Sequence, residues 1–286
     1  VLHVAGAALL GLLVGSFLNV VIHRLPRMLE RDWRRQCADL QGTAPAPADE
    51  SPYNLVRPGS ACPHCGAAIR PWQNIPVVSY LLLGGRCAQC KARIPLRYPV
   101  VEAGTALASA LVAWQLGPTP EAAAAIGVTW CLIALAGIDL DHHLLPDSLT
   151  LPLLWAGLLF HVLRGPDTGD GVFASLTDGV IGAVAGYLSL WTIYHGFRIT
   201  TGKEGMGYGD FKLFAALGAW LGWQRLPLVI LLSAVAGTVV SVSLIALRRH
   251  SRETPIPFGP YLAAAGFVAI LWGRDLVAAY WRAGTP

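Results

Sequence analysis

Long apolar runs separated by short polar ones dominate the chain. A helix that crosses a bilayer needs about 17 to 25 mostly apolar residues. Eight stretches approach or reach that length: 4–22, 98–115, 122–139, 149–164, 177–197, 211–223, 226–247 and 257–273. The pattern predicts an all-α polytopic membrane protein with about eight transmembrane helices. One long polar stretch, 23–97, falls between the first and second runs. It opens with His23 to Arg35, where Leu25, Met28, Leu29 and Trp33 alternate with arginines, a pattern suited to an amphipathic helix along the membrane surface. Residues 38–53, rich in Ala and Pro, read as a linker. The expected organisation is a first transmembrane helix over 1–22, a cytoplasmic module over 23–97 and a membrane-embedded bundle over 98–286.

Composition agrees with this reading. The chain is 54% hydrophobic and only 13% charged, with a mean hydropathy of +0.52, which excludes an ordinary soluble domain. The first run has no basic region before it and a strongly basic one after it, so it is expected to be retained rather than removed as a signal peptide. Eleven Lys and Arg lie in 23–97, while the connections 116–121, 165–176 and 224–225 hold only Arg225. The positive-inside rule then places the basic loops, including Arg198, Lys203 and Lys212 and the group Arg248, Arg249 and Arg252, in the cytoplasm, with both termini outside. Lipid headgroups and topology account for the cations beside the first run, so no nucleic-acid partner is expected.

Within the module, Cys62-Pro-His-Cys65 and Cys87-Ala-Gln-Cys90 form two Cys-x-x-Cys knuckles 21 residues apart. Four thiolates on two tight turns match a tetrahedral zinc site, and a reducing cytoplasm disfavours disulfides. Four cysteine ligands leave no open position, so the zinc is expected to be structural. His64 reads as a solvent-facing filler, and Cys131 as a small packing residue.

Two acids stand at the ends of apolar runs. Gly205-Met-Gly-Tyr-Gly-Asp210 puts a carboxylate before the run 211–223, where helix N-capping is the ordinary explanation. Asp139 closes the run 122–139, and the topology brings both acids to the cytoplasmic face. Charges so close to hydrocarbon mark functional sites. If their helices pack together, two carboxylates at close range cannot both ionise easily and share a proton, the arrangement that aspartic proteases use. Asp141 is expected to be a solvated neighbour of Asp139, because residues i and i+2 do not share a helix face. His142 and His143 point apart on a helix and fit no familiar metal pattern, and Asp147 reads as a cap or turn residue. The glycine run is a poor dinucleotide loop, because no βαβ unit surrounds it.

Gly207-Tyr-Gly-Asp210, Ile138-Asp139 with Pro146-Asp147, and the doubled Cys-x-x-Cys module together resemble the type IV prepilin peptidases over nearly the full chain. Gly15-Ser-Phe-Leu-Asn-Val-Val-Ile-His-Arg-Leu-Pro26, Arg70-Pro-Trp72 and Glu204 to Lys212 also resemble that family. The resemblance implies a bacterial inner-membrane enzyme that cleaves type IV prepilins and pseudopilins after a glycine at the cytoplasmic face. Asp139 and Asp210 would be its catalytic residues, and Cys62, Cys65, Cys87 and Cys90 its zinc ligands. It further implies N-methylation of the new N-terminus with S-adenosylmethionine, for which the residues themselves supply no site. The alternative is a proton-coupled membrane transporter or scaffold whose zinc module docks a partner.

Overall fold

The computed structural model describes residues 1–42, 52–165, 171–203, 205–247 and 256–284. Most of the expected linker, Pro166 and Gly169 of the loop after the fourth run, Glu204, Pro255 and the cations Arg248, Arg249 and Arg252 lie outside the described residues. The chain forms two compact units, Val1–Pro118 and Thr119–Pro286. Apart from isolated bridges at Ala61 with Ala68 and Arg86 with Arg93, regular structure among the described residues is helical.

The first unit holds α1 (Leu2–Gln41), the short α2 (Val78–Leu82) and α3 (Arg97–Leu116). At 1.5 Å per residue α1 is about 60 Å long, roughly twice the hydrocarbon thickness. The basic residues 23–35 are therefore not a separate surface helix. They continue the first transmembrane helix past Pro26 without a break. One missing N–H costs a single backbone bond there, while the Arg, Leu, Met and Glu that follow favour helix. The helix stops at Gly42, in a left-handed conformation, whose N–H caps the carbonyls of Ala38 and Asp39. α1 and α3 pack through small residues: a Cβ on Gly11 would lie 2.7 Å from Ser109 Oγ, and one on Gly15 2.8 Å from Glu102 Cα. Such close backbones give membrane helices their dispersion contact. Asn19 adds a hydrogen bond from Nδ2 to the Tyr98 carbonyl at 3.1 Å.

The second unit holds α4 (Pro120–His142), α5 (Asp147–Arg164), α6 (Leu176–Thr201), α7 (Tyr208–Leu221), α8 (Leu226–Ala246) and α9 (Gly259–Gly284). Side chains start two of them: Thr119 Oγ1 accepts from the Ala122 N–H, and Ser175 Oγ from the Asp178 N–H. α7 forms the core, buried from Asp210 to Leu221 except for Lys212. It is apolar on every side because neighbours cover every side. Gly182 of α6 meets the Gly218 carbonyl, Trp220 Nε1 donates to the Leu153 carbonyl of α5 at 2.8 Å, and Leu217 fills the space beside Gly266 of α9. A 3-10 turn, Trp223–Arg225, separates α7 from α8, where the sequence leaves only 224–225 between two apolar runs.

Among the described residues, six helical segments are long and apolar enough to cross a membrane: Leu2–Gln41, Arg97–Leu116, Pro120–His142, Leu176–Thr201, Trp223–Ala246 and Gly259–Arg282. The expected runs 149–164 and 211–223 are also helical, as α5 and α7, but are not among these six. At about 21 Å, α7 is shorter than the roughly 30 Å hydrocarbon layer. Leu9, Leu13 and Phe17 of α1, Leu107 and Trp114 of α3, and Trp155 and Leu159 of α5 are exposed large apolar side chains, as lipid contact requires. The protein is a multi-pass, all-α membrane protein.

Candidate catalytic dyad and metal centre

Asp139 lies in the last turn of α4, buried, one turn before His143 ends the helix in a left-handed conformation. Its Oδ2 accepts a hydrogen bond from the Gly259 N–H at 2.9 Å. That donor comes from the first residue of α9, 120 positions away, at a helix N-terminus whose exposed N–H groups favour negative charge. A Cβ on Gly259 would fall 2.6 Å from the same oxygen, so only glycine leaves room for the carboxylate.

Asp210 stands in the first turn of α7. The helix N-cap is Gly207, not Asp210: the Asp210 N–H donates to the Gly207 carbonyl, and Asp210 Oδ2 reaches back to accept from the Gly207 N–H at 3.1 Å. The side-chain bond is the N3 half of a capping box, made from three residues inside the helix, and because glycine has no side chain the other bond is backbone to backbone. The side-chain bond uses one carboxylate oxygen. The other, Oδ1, is buried with no hydrogen-bond partner. Capping thus accounts for half of the group.

The structure brings the two carboxylates together, near enough to interact electrostatically. Leu145 is the wedge that sets their spacing. Its Cβ would lie 2.7 Å from a Cβ on Gly209, and its Cδ2 3.1 Å from one on Gly259. Each carboxylate is fixed by one backbone N–H through Oδ2. Two fixed carboxylates can divide the tasks of base and acid between them.

The flanking residues behave differently. Asp141, His142 and His143 are exposed. Asp147 begins α5 and holds Lys212 Nζ at 2.6 and 2.7 Å through its two oxygens, an ion pair tying α5 to α7 beside the dyad. Sequence reasoning gave Asp147 a cap or turn role, named Lys212 without its pairing to Asp147, and missed Leu145 and Gly259. Only the Gly-Pro before Tyr261 hinted at a backbone constraint there.

In the first unit, Cys62, Cys65, Cys87 and Cys90 converge, with all four sulfurs within 4.8 Å of one another. Among the described residues they form the one group with metal-binding geometry. The two knuckles fold alike. The Cys62 N–H donates to the Ala67 carbonyl and the Cys87 N–H to the Ala92 carbonyl, while Gly66 and Lys91 take the same left-handed conformation. The N–H groups of Cys90 and Gln89 hold the Cys87 thiol down to about 6, which favours the thiolate that a metal requires. Cys62 and Cys90 sulfurs are 3.8 Å apart. Zinc–sulfur bonds of about 2.3 Å in a tetrahedron put sulfurs about 3.8 Å apart, so the donor set fits a four-coordinate ion.

Two family profiles match the chain. Residues 9–116 match the bacterial peptidase A24 N-terminal domain, and residues 126–242 match the type IV leader peptidase family. The chain is 57% identical to a prepilin leader peptidase/N-methyltransferase of Pseudomonas aeruginosa over 272 residues, covering 95% of this chain and 91% of that protein. Proteins of the same name from Aeromonas hydrophila and Stutzerimonas stutzeri are 56% and 54% identical, covering 95% and 96% of this chain and 91% and 92% of those proteins. No solved structure matches the chain. The transporter alternative finds no support in these likenesses, and the chain belongs to the type IV leader peptidase family.

Proposed function

We propose that this protein is a prepilin leader peptidase and N-methyltransferase that cleaves type IV prepilins and pseudopilins with the dyad Asp139 and Asp210. The observation that carries the catalytic assignment is the pair of buried carboxylates, each held through Oδ2 by a backbone N–H, with Asp210 Oδ1 left open. One carboxylate takes a proton from water as the water attacks the scissile carbonyl carbon. The other, protonated, donates to the carbonyl oxygen, and the carbon becomes tetrahedral. Collapse re-forms the carbonyl, breaks the C–N bond and passes a proton to the leaving amine. A substrate backbone must reach the carboxylates in extended form, and Gly207, where a Cβ would meet nothing nearer than Asp210 Oδ2 at 3.7 Å, gives it clearance. Cleavage after a glycine follows from the family resemblance.

The positive-inside rule supports placing this chemistry at the cytoplasmic face of a bacterial inner membrane, since Lys203 and Lys212 flank Asp210. Cys62, Cys65, Cys87 and Cys90 would hold a structural zinc, which supplies fold energy and leaves no position for substrate. Methyl transfer rests on family membership and the relatives' shared name. S-adenosylmethionine would supply the methyl group for the new N-terminal amine.

The test is cleavage of a purified prepilin by the full chain in membranes. Asp139→Asn and Asp210→Asn should each lower the rate by at least about 10²-fold, with the variants still folded. Normal cleavage by either variant removes the dyad. Mass spectrometry of the mature N-terminus should show the gain of one CH₂ when the methyl donor is present, and its absence would leave a peptidase alone.

A further inference from the structure

Between Arg70 and Arg86 the first unit has no charged residue: Pro71-Trp-Gln-Asn-Ile-Pro-Val-Val-Ser-Tyr-Leu-Leu-Leu-Gly-Gly85. A water-exposed loop of this length would be expected to carry charge, as the second knuckle does with Lys91 and Arg93. Instead this loop turns its apolar side chains outward. Leu81 and Leu82 are 70% and 82% exposed, and Trp72, Ile75 and Val78 are exposed as well. Together they make an uncovered apolar face centred on α2.

The backbone of this loop is fastened to a membrane helix. Val77, just before α2, has φ 60° and ψ −48°, and the Val78 N–H closes a three-residue γ-turn onto the Pro76 carbonyl. That conformation is unfavourable for any side chain and worst for a β-branched one. Strain of this kind persists only where surroundings hold it. What holds it is Glu102 of α3. Its Oε2 accepts from the Val77 N–H at 2.7 Å, the side chain is buried, and Ser16 of α1 lies beside the same carboxylate. The catalytic dyad and the metal centre make no use of this carboxylate.

The fastening point lies inside the basic ends of both helices. Glu102 is five residues inside α3 from Arg97, and Ser16 is eight residues before Arg24 in α1. At 1.5 Å per residue those offsets are about 7 to 12 Å. An interfacial helix buries its apolar face by roughly 5–10 Å. The loop's attachment at Val77 therefore stands at a depth that matches lipid acyl chains, and the exposed leucines follow it by four and five residues.

We propose that residues 71–85 form a membrane-inserted loop, with Leu81 and Leu82 among lipid acyl chains and Glu102 as its tether. Its occupant is lipid because the loop is uncharged and exposes large apolar side chains, and because it is fastened to the membrane helix α3 inside that helix's basic end, where the Glu102 carboxylate satisfies the loop's backbone. The loop then holds the two cysteine knuckles, which flank it in sequence, at the bilayer surface. This reading is independent of the proposed catalytic roles.

The experiment uses the full chain in phosphatidylethanolamine/phosphatidylglycerol nanodiscs with a photocrosslinker, Leu82→p-benzoylphenylalanine, and Arg93→p-benzoylphenylalanine on a knuckle as comparison. Irradiation should give at least about tenfold more acyl-chain adduct at position 82 than at 93, read by mass spectrometry. Adducts to residues 119–286, or equal lipid labelling at both positions, would overturn the proposal. Glu102→Gln keeps an acceptor for the Val77 N–H and should keep the adduct and the slow hydrogen exchange of that amide. Glu102→Ala should lower both severalfold. Unchanged values in Glu102→Ala would refute the tether, and an alanine variant that fails to fold leaves the position-82 adduct and the glutamine variant to decide.

Discussion

Three glycines lead into Asp210, and the structure gives them unequal work. A Cβ on Gly209 would press on Leu145 at 2.7 Å, whereas one on Gly207 would meet nothing nearer than Asp210 Oδ2 at 3.7 Å. Gly209→Ala must shift either Leu145 or the first turn of α7, and Leu145 also stands against Gly259 and Asp139. It should lower kcat by about 10- to 100-fold through misplacement of the carboxylates. Gly207→Ala fits the enzyme itself, with φ −83° open to any residue. Its unfolding free energy should stay within about 0.5 kcal/mol of the parent. Any loss of cleavage there should appear as a raised KM, because the new methyl group would stand where substrate passes. Stability and steady-state kinetics of the two variants separate these outcomes, and equal loss of stability in both would be evidence against the Leu145 wedge. The ion pair of Asp147 and Lys212 is only partly buried, so Lys212→Met should cost no more than about 1 kcal/mol. Both acids were legible in the sequence because a carboxylate at the edge of an apolar run has few ordinary explanations. Their tethers were not. The Gly259 N–H reaches Asp139 across 120 residues, and no local pattern records which backbone will satisfy a buried oxygen.

Among the elements, α7 departs most from its appearance in sequence. An apolar run of thirteen residues reads as a short span, yet α7 is the buried centre around which α5, α6 and α9 pack. Hydropathy cannot distinguish lipid from protein as the apolar surroundings, and small residues carry the missing information. Gly182 and Gly218 let the backbones of α6 and α7 touch, and Gly157 makes room for the Trp220 ring. A side chain at Gly182 or Gly218 collides with the opposing carbonyl, which cannot rotate away as a side chain can. Gly182→Val and Gly218→Val should each destabilise the second unit by more than about 2 kcal/mol, since overpacking against backbone finds little relief. Gly127 and Gly196, which meet nothing, should accept alanine with little change, and denaturation in lipid or mild detergent measures the contrast. The continuous α1 was obscured for a different reason. The onset of charge after Ile22 suggested a boundary, and Pro26 does not make one either, since a single proline removes one hydrogen bond while the helix-favouring residues after it supply many.

At the scale of the molecule, the cysteine module was the most legible part, because metal geometry constrains spacing more tightly than packing constrains a helix. The likeness between the knuckles extends past the cysteines, with Ile69 and Ile94 each seven residues after the first cysteine and each donating its N–H to a carbonyl just before its own knuckle. The segment between α1 and α3 has little else to fold it. Among residues 52–96 only Cys62, Pro76 and Gly85 are buried, and helix is limited to α2 and the turn Pro71–Asn74. A bound four-cysteine metal would therefore supply most of the local stability, an amount that reaches about 10 to 16 kcal/mol in small zinc domains. Since Thr119–Pro286 packs as its own unit, removal of the metal should be felt locally. Cys87→Ser, or a strong chelator, should remove a stoichiometric metal ion measured by elemental analysis. Limited proteolysis should then cut first within 52–96 while the fragment 119–286 persists. Simultaneous cleavage of both regions would show that the dyad's bundle depends on the metal after all. Persistence of 119–286 with loss of methylation but not of leader cleavage would assign the two activities to different units of the chain.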